Sequence, residues 1–379
     1  MTTLGSAPRL LTGATGFVGS HFLLRWLLQG ERVVALARAG SASAATERVR
    51  QALTVAGGSL AAAPRVPAPQ AVCGDLSADL GGVSPEAQKR LRELGVRELW
   101  HFAASLQYEE RHRDAIFETN VAGTRRALDL AQALGCEWFV HVSTAYTAGK
   151  RGGVITEQLP RRTDGFNNCY EASKADAEHL VAELCAARGM KLAILRPSIV
   201  VGPSCSKSTG GSSTGIYGFA RELGRARAPL RALGRPLRLR GEPNTPLNLL
   251  PIDWFIDDVA TLVKSGIAAS TIVHHTLDSS PTIHEIGEVV AELLALPGFL
   301  IEPAAAPSTP LEQLLARRTA FYAPYLSGAK HFERARPFPH RLTRDDLREY
   351  FAACLHESER VSRSEPELSS ARKRLGAQS

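Results

Sequence analysis

Two short stretches place together residue types that could move a proton. Tyr170 and Lys174 stand four apart in CYEASKADAEHLVAEL, and Ser143 and Thr144 close the run EWFVHVST. A spacing of four sets Tyr170 and Lys174 one turn apart on one helix face. A free phenol, with a pKa of about 10, is a weak acid at neutral pH; a neighbouring ammonium favours the phenolate and lowers that value. A solvated helix face would show the same spacing. The hydroxyls of Ser143 and Thr144 tilt the balance toward chemistry, because they end a strand at the same end of the sheet.

A second pattern concerns binding. From Thr12 the chain reads TGATGFVG, with Gly13, Gly16 and Gly19 between an apolar run and an amphipathic helix. Glycine, lacking a Cβ, suits a tight turn or a close approach of backbone to a ligand. At a strand-to-helix junction the free N–H groups and the positive helix end suit a phosphate, which points to a dinucleotide. The second strand ends in Arg38 rather than an acid, and Arg48 follows ten residues on. A guanidinium suits a ribose 2′-phosphate that a carboxylate would repel, so NADPH is favoured and NADH left open. Asp75 and Leu76, at the end of the third strand, are placed to meet the adenine.

Six apolar runs must position these residues: Arg9–Gly13, Arg32–Arg38, Gln70–Leu76, Glu98–Ala104, Glu137–Thr144 and Lys191–Gly202. Segments with helical spacing lie between them, as over Phe117–Leu134 and Tyr170–Arg188. This alternation predicts a parallel sheet covered on both faces, with ligands beyond the carboxyl ends of its strands. Beyond Gly202 the chain turns Gly/Ser-rich to Gly215, then arginine-rich over Arg221–Gly241. A strand-to-helix pattern returns over Asn248–Val263, and a further strand over Thr271–Ser280. Residues 281–355 read as mostly helical, and the polar end of the chain as a disordered tail. The expected fold is α/β: a Rossmann-type doubly wound parallel sheet with a smaller, mostly helical C-terminal substrate domain. The NADP-binding domain covers 1–202 with 248–280 returning to it, the substrate-binding part 203–247 and 281–355, and the tail 356–379.

Composition narrows the classes. In a chain of 379 residues, 44% hydrophobic and 22% charged residues describe an ordinary globular protein. Net charge is +7, carried mostly by arginine, and suits phosphate-bearing substrates. Without interleaved aromatics or a recognisable binding module, the arginines do not read as a nucleic-acid surface. Arg225, Arg231 and Arg238 could meet a phosphate or an acidic carrier, or simply line a solvated helix face. The six cysteines show no ligand spacing, and His274–His275 has no third ligand nearby, so no disulfide and no metal are expected. No signal peptide and no run of about 18 apolar residues is seen, so the expected location is the cytoplasm. Monomer and homodimer both stay open.

Taken together, TGATGFVG, HFAA (His101–Ala104), TNVAGT (Thr119–Thr124), HVSTAY, YEASK and LRPSIVVGP follow the order and approximate spacing of an extended short-chain dehydrogenase/reductase, which the chain resembles. The resemblance covers about Arg9 to Leu277. Within that family the chain resembles the thioester-reductase and fatty-acyl-reductase branch, in CGDLSADLGG, HFAASLQYEE and PIDWFIDDVA. The resemblance implies that Thr144 and Tyr170 hold a substrate carbonyl, with Tyr170 as proton donor. Lys174 would bind the nicotinamide ribose and tune Tyr170, and Asn120 would support the active-site helix or a proton-relay water. Cofactor contacts would come from Thr12, Gly13, Thr15, Gly16, Phe17, Val18, Gly19, Arg38, Arg48, Asp75, Leu76, Ala103, Ala104, Tyr170, Lys174, Pro197 and Ile199. The implied activity is NADPH-dependent reduction of an acyl thioester, CoA- or carrier-protein-bound, to aldehyde or alcohol. The alternative is reduction of a ketone or aldehyde intermediate in specialised-metabolite biosynthesis. A dehydratase would need an acid/base pair after Thr144, where Ala145 and Tyr146 stand, and a cofactor sensor would not need a proton donor.

Overall fold

The computed structural model describes residues 3–58, 68–210 and 215–357. It forms two compact units, one from 1–206, 248–280 and 328–341, the other from 207–247, 281–327 and 342 onward. The chain begins β1 (Arg9–Thr12), α1 (Phe17–Leu28), β2 (Val33–Ala37), α2 (Ala42–Gly58), β3 (Gln70–Cys73), α3 (Pro85–Glu93) and β4 (Glu98–His101). There follow α4 (Arg113–Phe117), α5 (Gly123–Leu134), β5 (Trp138–Val142), β6 (Gly153–Ile155), α6 (Cys169–Ala187), β7 (Lys191–Pro197) and β8 (Ile199–Val201). Next come α7 (Ile216–Arg225), α8 (Arg227–Ala232), β9 (Leu237–Arg240), β10 (Leu249–Pro251), α9 (Ile252–Ser265) and β11 (Thr271–His275). The last are α10 (Ile283–Leu294), β12 (Phe299–Glu302), α11 (Pro310–Arg318), β13 (Lys330–Phe332) and a helix over 344–357.

Seven strands make one parallel sheet in the order β11-β7-β5-β4-β1-β2-β3. The run VVALA of β2 is buried throughout, as continuous apolar strands are when helices cover both faces. The core beneath one face joins Leu10, Leu36, Leu99, Leu128, Phe139 and Ile194. Strand order reverses between β1 and β4, the switch point at which such sheets open a crevice for ligands. Local signals set the helix ends. Asn168 caps α6 by accepting from Glu171 N at 2.9 Å, and Gly135, at φ 73°, ends α5 in the left-handed conformation. A π turn over Glu118–Ala122 joins α4 to α5.

The predicted strand Lys191–Gly202 is two strands. Ser198 leaves the main sheet, its N–H donating to His275 O and its hydroxyl to Asn248 Oδ1, and β8 then pairs with β10 in a sheet of two. The predicted helical stretch 281–355 also carries β12 and β13; β13 pairs with β6 inside the first unit. In the second unit β9 pairs with β12, and capping boxes start α10 at Thr282–Glu285 and α11 at Thr309–Glu312. Arg225 there pairs with Glu222, and Arg231 donates to Leu294 O. Residues 211–214 of the Gly/Ser run, and the tail beyond 357, lie outside the described residues.

Candidate active site

The glycine turn closes on the end of β4. Gly13 sits at φ +72°, and a Cβ there would lie 2.6 Å from Ala103 N, so both conformation and space require glycine. A Cβ on Gly19 would collide with Gly13 O. The turn is pinned by Gly16 N–H donating to Gly13 O at 3.0 Å. Helix α1 then starts at Phe17 with no side-chain cap and no acid in its first turn. Thr15 and Gly16 are exposed, and Phe17 and Val18 half-buried. A turn that a Cβ would fill, opening an acid-free helix end, fits a pyrophosphate.

Just beyond β2, Arg38 and Arg48 meet, both exposed, the Arg48 guanidinium donating to the Arg38 carbonyl oxygen. Asp75 is half-buried and accepts from Ser77 N at 3.0 Å, while Leu76 O accepts from Arg126. Ala103 and Ala104 are half-buried beyond β4. Pro197 is buried at the end of β7 and Ile199 half-buried at the start of β8.

The residues expected to move a proton are reached from the end of β5. Lys174 Nζ donates to Val142 O at 2.8 Å, tying α6 to the strand two residues before Thr144. The Thr144 hydroxyl oxygen accepts from Tyr146 N at 3.2 Å, which leaves its proton free to donate. Ser143 Oγ is buried with no partner among the described residues. Tyr170 is half-buried, and among the described residues no hydrogen bond joins it to Thr144. Tyr146, by contrast, is buried against Phe332.

Behind them runs a directed chain of buried hydrogen bonds. Thr124 Oγ1 donates to Asn120 O at 2.6 Å, so toward His101 Nε2, 2.9 Å away, it can only accept. His101 therefore carries its proton on Nε2, and Nδ1 accepts from Thr12 Oγ1 at 2.8 Å. Asn120 reaches on from the π turn: its amide donates to Ser173 Oγ at 2.8 Å and Ser105 O at 3.1 Å. Ser105 N–H in turn donates to its Oδ1. Ser173 closes the chain on Tyr170 O. The strand carrying the glycine turn is thus linked to the helix carrying Tyr170 and Lys174.

Burial governs the charges here. It pushes the Tyr170 phenol above its ordinary value, with Glu171 adding to the effect. The lowering expected from the Lys174 ammonium does not appear, and the phenol holds its proton at neutral pH. Burial takes Lys174 down to about 8, against a smaller upward pull from Glu178. Glu178 is itself committed to Arg196, whose Nε lies 2.9 Å from Oε1. His101 is pushed down to about 3 by burial and the Lys174 charge, and His141 falls well below its usual value for the same reasons.

A second buried cluster has a carboxylate at its centre. Asp258 on α9 accepts from His275 Nδ1 at 2.7 Å and Arg334 at 2.9 Å, and Arg336 lies 3.3 Å away. Burial works to raise the Asp258 carboxyl, but His275 and Arg334 outweigh it and hold it below its ordinary value. His275 is engaged by Asp258, and His274 Nδ1 lies 2.8 Å from Glu333 O; no group of three metal-binding side chains is seen among the described residues. No described helix is long and apolar enough to cross a membrane. His141, 3.3 Å from Lys174 Nζ, is the first residue of HVSTAY, a motif that assigns a role to Thr144 and none to it.

A family model described as male sterility protein, an NAD-binding family, matches residues 11–259. A component of the linear gramicidin synthase of Brevibacillus parabrevis is 29% identical over 279 residues, 72% of this chain and 5% of that protein. Fatty acyl-CoA reductase 1 of Pongo abelii is 31% identical over 228 residues, 50% of this chain and 42% of that protein. The chain spans about half or less of the length of the curated relatives it matches. Among solved structures, the terminal R domain of the myxalamid PKS-NRPS pathway superposes with a TM-score of 0.70 at 20% identity, covering 94% of both chains. RMD from Pseudomonas aeruginosa, complexed with NADPH, has a TM-score of 0.57 at 18% identity, covering 93% of this chain and 98% of that one.

Proposed function

The chain belongs to the male sterility protein family, NAD-binding oxidoreductases of the extended short-chain type, and from that premise we propose that it is an NADPH-dependent reductase of acyl thioesters, CoA- or carrier-protein-bound. The observation that carries the reading is the pair of uncommitted proton donors beyond β5, the Thr144 hydroxyl and the protonated Tyr170 phenol. The glycine turn with Thr12, Thr15, Phe17 and Val18 would hold the pyrophosphate, Asp75 and Leu76 the adenine side, and Arg38 with Arg48 the 2′-phosphate. Ala103, Ala104, Pro197, Ile199, Tyr170 and Lys174 would frame the nicotinamide end, with Asn120 supporting α6 through Ser173.

When bound, the reduced nicotinamide supplies the hydride. Thr144 and Tyr170 hold the thioester oxygen, and donors aimed at the charge that develops there are each worth about 3–4 kcal/mol. Tyr170 gives that oxygen its proton, and loss of thiol from the resulting hemithioacetal leaves an aldehyde. A second round at the same donors yields an alcohol. The Lys174 ammonium orients the ribose and compensates the phenolate left by proton transfer. Names among the relatives, a fatty acyl-CoA reductase and a gramicidin synthase, favour this substrate class.

The test is NADPH oxidation by the purified protein with a long-chain acyl-CoA, an acyl-pantetheine thioester and a panel of aldehydes and ketones. NADPH-dependent release of free thiol is the expected result. Turnover confined to aldehydes or ketones would overturn the thioester reading in favour of a carbonyl reductase.

A further inference from the structure

Lys174 is a buried cation with no carboxylate bonded to it among the described residues. Its ammonium has two partners among the described residues, Val142 O at 2.8 Å and His141 Nε2 at 3.3 Å. One N–H is left. The charged and titratable groups around it are few. Glu178, one turn on along α6, is held by Arg196 from β7. His141 comes from β5, and His101 from β4 stacks on His141 with ring centroids 5.6 Å apart.

An ammonium has no lone pair, so Lys174 can only donate, and His141 Nε2 must accept. The His141 proton must then sit on Nδ1, which is buried and has no partner among the described residues. His101 cannot take that proton, because its two nitrogens are engaged by Thr12 and Thr124. A buried N–H without a partner is costly and calls for an explanation; the bond made by the other nitrogen supplies one.

We infer that His141 is the positioning residue for Lys174: its imidazole, protonated on Nδ1, accepts one ammonium proton through Nε2 while Val142 O takes a second, so that the third N–H alone is offered to the cofactor ribose. This rests on the reading of Lys174 as the ribose-binding residue. A glutamate would serve the acceptor role poorly here, since its carboxylate would neutralise the charge that the site keeps.

A tautomer and a pH shift follow from this role. In 15N-histidine-labelled protein without cofactor, the His141 signals, assigned by their loss in His141→Gln, should report a neutral ring protonated on Nδ1. A ring protonated on Nε2 would overturn the inference whatever the activity. In His141→Phe the ammonium loses an acceptor. The alkaline weakening of NADPH binding, followed by fluorescence titration from pH 6 to 10, should then begin about one pH unit lower, equivalent to about tenfold weaker binding on that limb. His141→Gln, whose side-chain oxygen can stand near the place of Nε2, should restore the wild-type limb. A merely structural His141 would lower thermal stability in both variants and leave the limb in place, and that result would refute the inference. Lys174→Met is measured alongside: wild-type turnover there would sink the assignment of Lys174 itself, whereas lost turnover with an unmoved limb in His141→Phe would sink the role of His141 alone.

Discussion

Two buried clusters at the carboxyl side of the main sheet treat charge in opposite ways. Around Asp258 every cation faces an anion: Arg334 and Arg336 share its oxygens and His275 donates to them. Around Lys174 the nearby carboxylate is taken by Arg196, and the ammonium rests on a carbonyl and a neutral imidazole. The first arrangement ties α9, β11 and the segment after β13 into the sheet. In the second, a cation and a phenol keep donors unspent. Compensated charge holds the fold together; the uncompensated charge beside β5 lies where the proposed cofactor ribose would bind.

Removing the proton donor should have the largest effect. Tyr170→Phe is expected to lower kcat about a hundred- to ten-thousand-fold, the range for loss of general acid catalysis, while NADPH binding is largely kept. Steady-state kinetics beside a binding titration would check both. In the compensated cluster the loss should appear in stability instead. Asp258→Asn leaves the buried Arg334 with only the more distant Asp278, 4.0 Å away, and should cost up to about 3–5 kcal/mol in urea unfolding. Because the Asp258 carboxyl is held below its ordinary value, its contribution is present above the unfolded carboxylate pKa and is lost as pH falls through the lower folded one. The variant should therefore show a weaker loss of stability in acid than the wild type.

Smaller effects sharpen the contrast. Arg38→Glu, at an exposed cation, should weaken NADPH about tenfold and favour NADH with little change in melting temperature; unchanged NADPH affinity would remove Arg38 from the cofactor site. Lys174→Met should abolish turnover at little cost to the fold. Moving the Lys174 ammonium from its ordinary value of 10.5 to about 8 is equivalent to about 3 kcal/mol against the folded state at neutral pH. That relief is offset by Val142 O and His141 Nε2, which lose their donor at about 1–3 kcal/mol each, so the melting temperature should change little. A variant that melts far earlier would contradict the idea that the site stores uncompensated charge.

The residues that announce themselves in the sequence are those with a local requirement. Gly13 must adopt a positive φ beside Ala103, and Tyr170 and Lys174 stand one turn apart because a helix has that period. The parallel sheet was legible for the same reason, since its buried strands are short apolar runs. Other features depend on partners distant in the chain. Arg334 meets Asp258 across 76 residues and β13 meets β6 far upstream, and no local pattern near either announces the pairing. The break of the predicted strand at Ser198 follows from Asn248, which accepts its hydroxyl. His141 stands inside HVSTAY, but the role inferred for it depends on which nitrogen is left without a partner, and spacing carries no trace of that.

The most direct test of an uncompensated Lys174 is the pH dependence of kcat/KM for NADPH, which reports groups of the enzyme form that NADPH meets. With an acyl thioester at saturation, the expected profile is a plateau below neutrality and a fall through an apparent pKa near 8, as the ammonium loses its proton. A profile still flat at pH 10 would mean that Lys174 keeps an ordinary ammonium, and would contradict a site built on uncompensated charge.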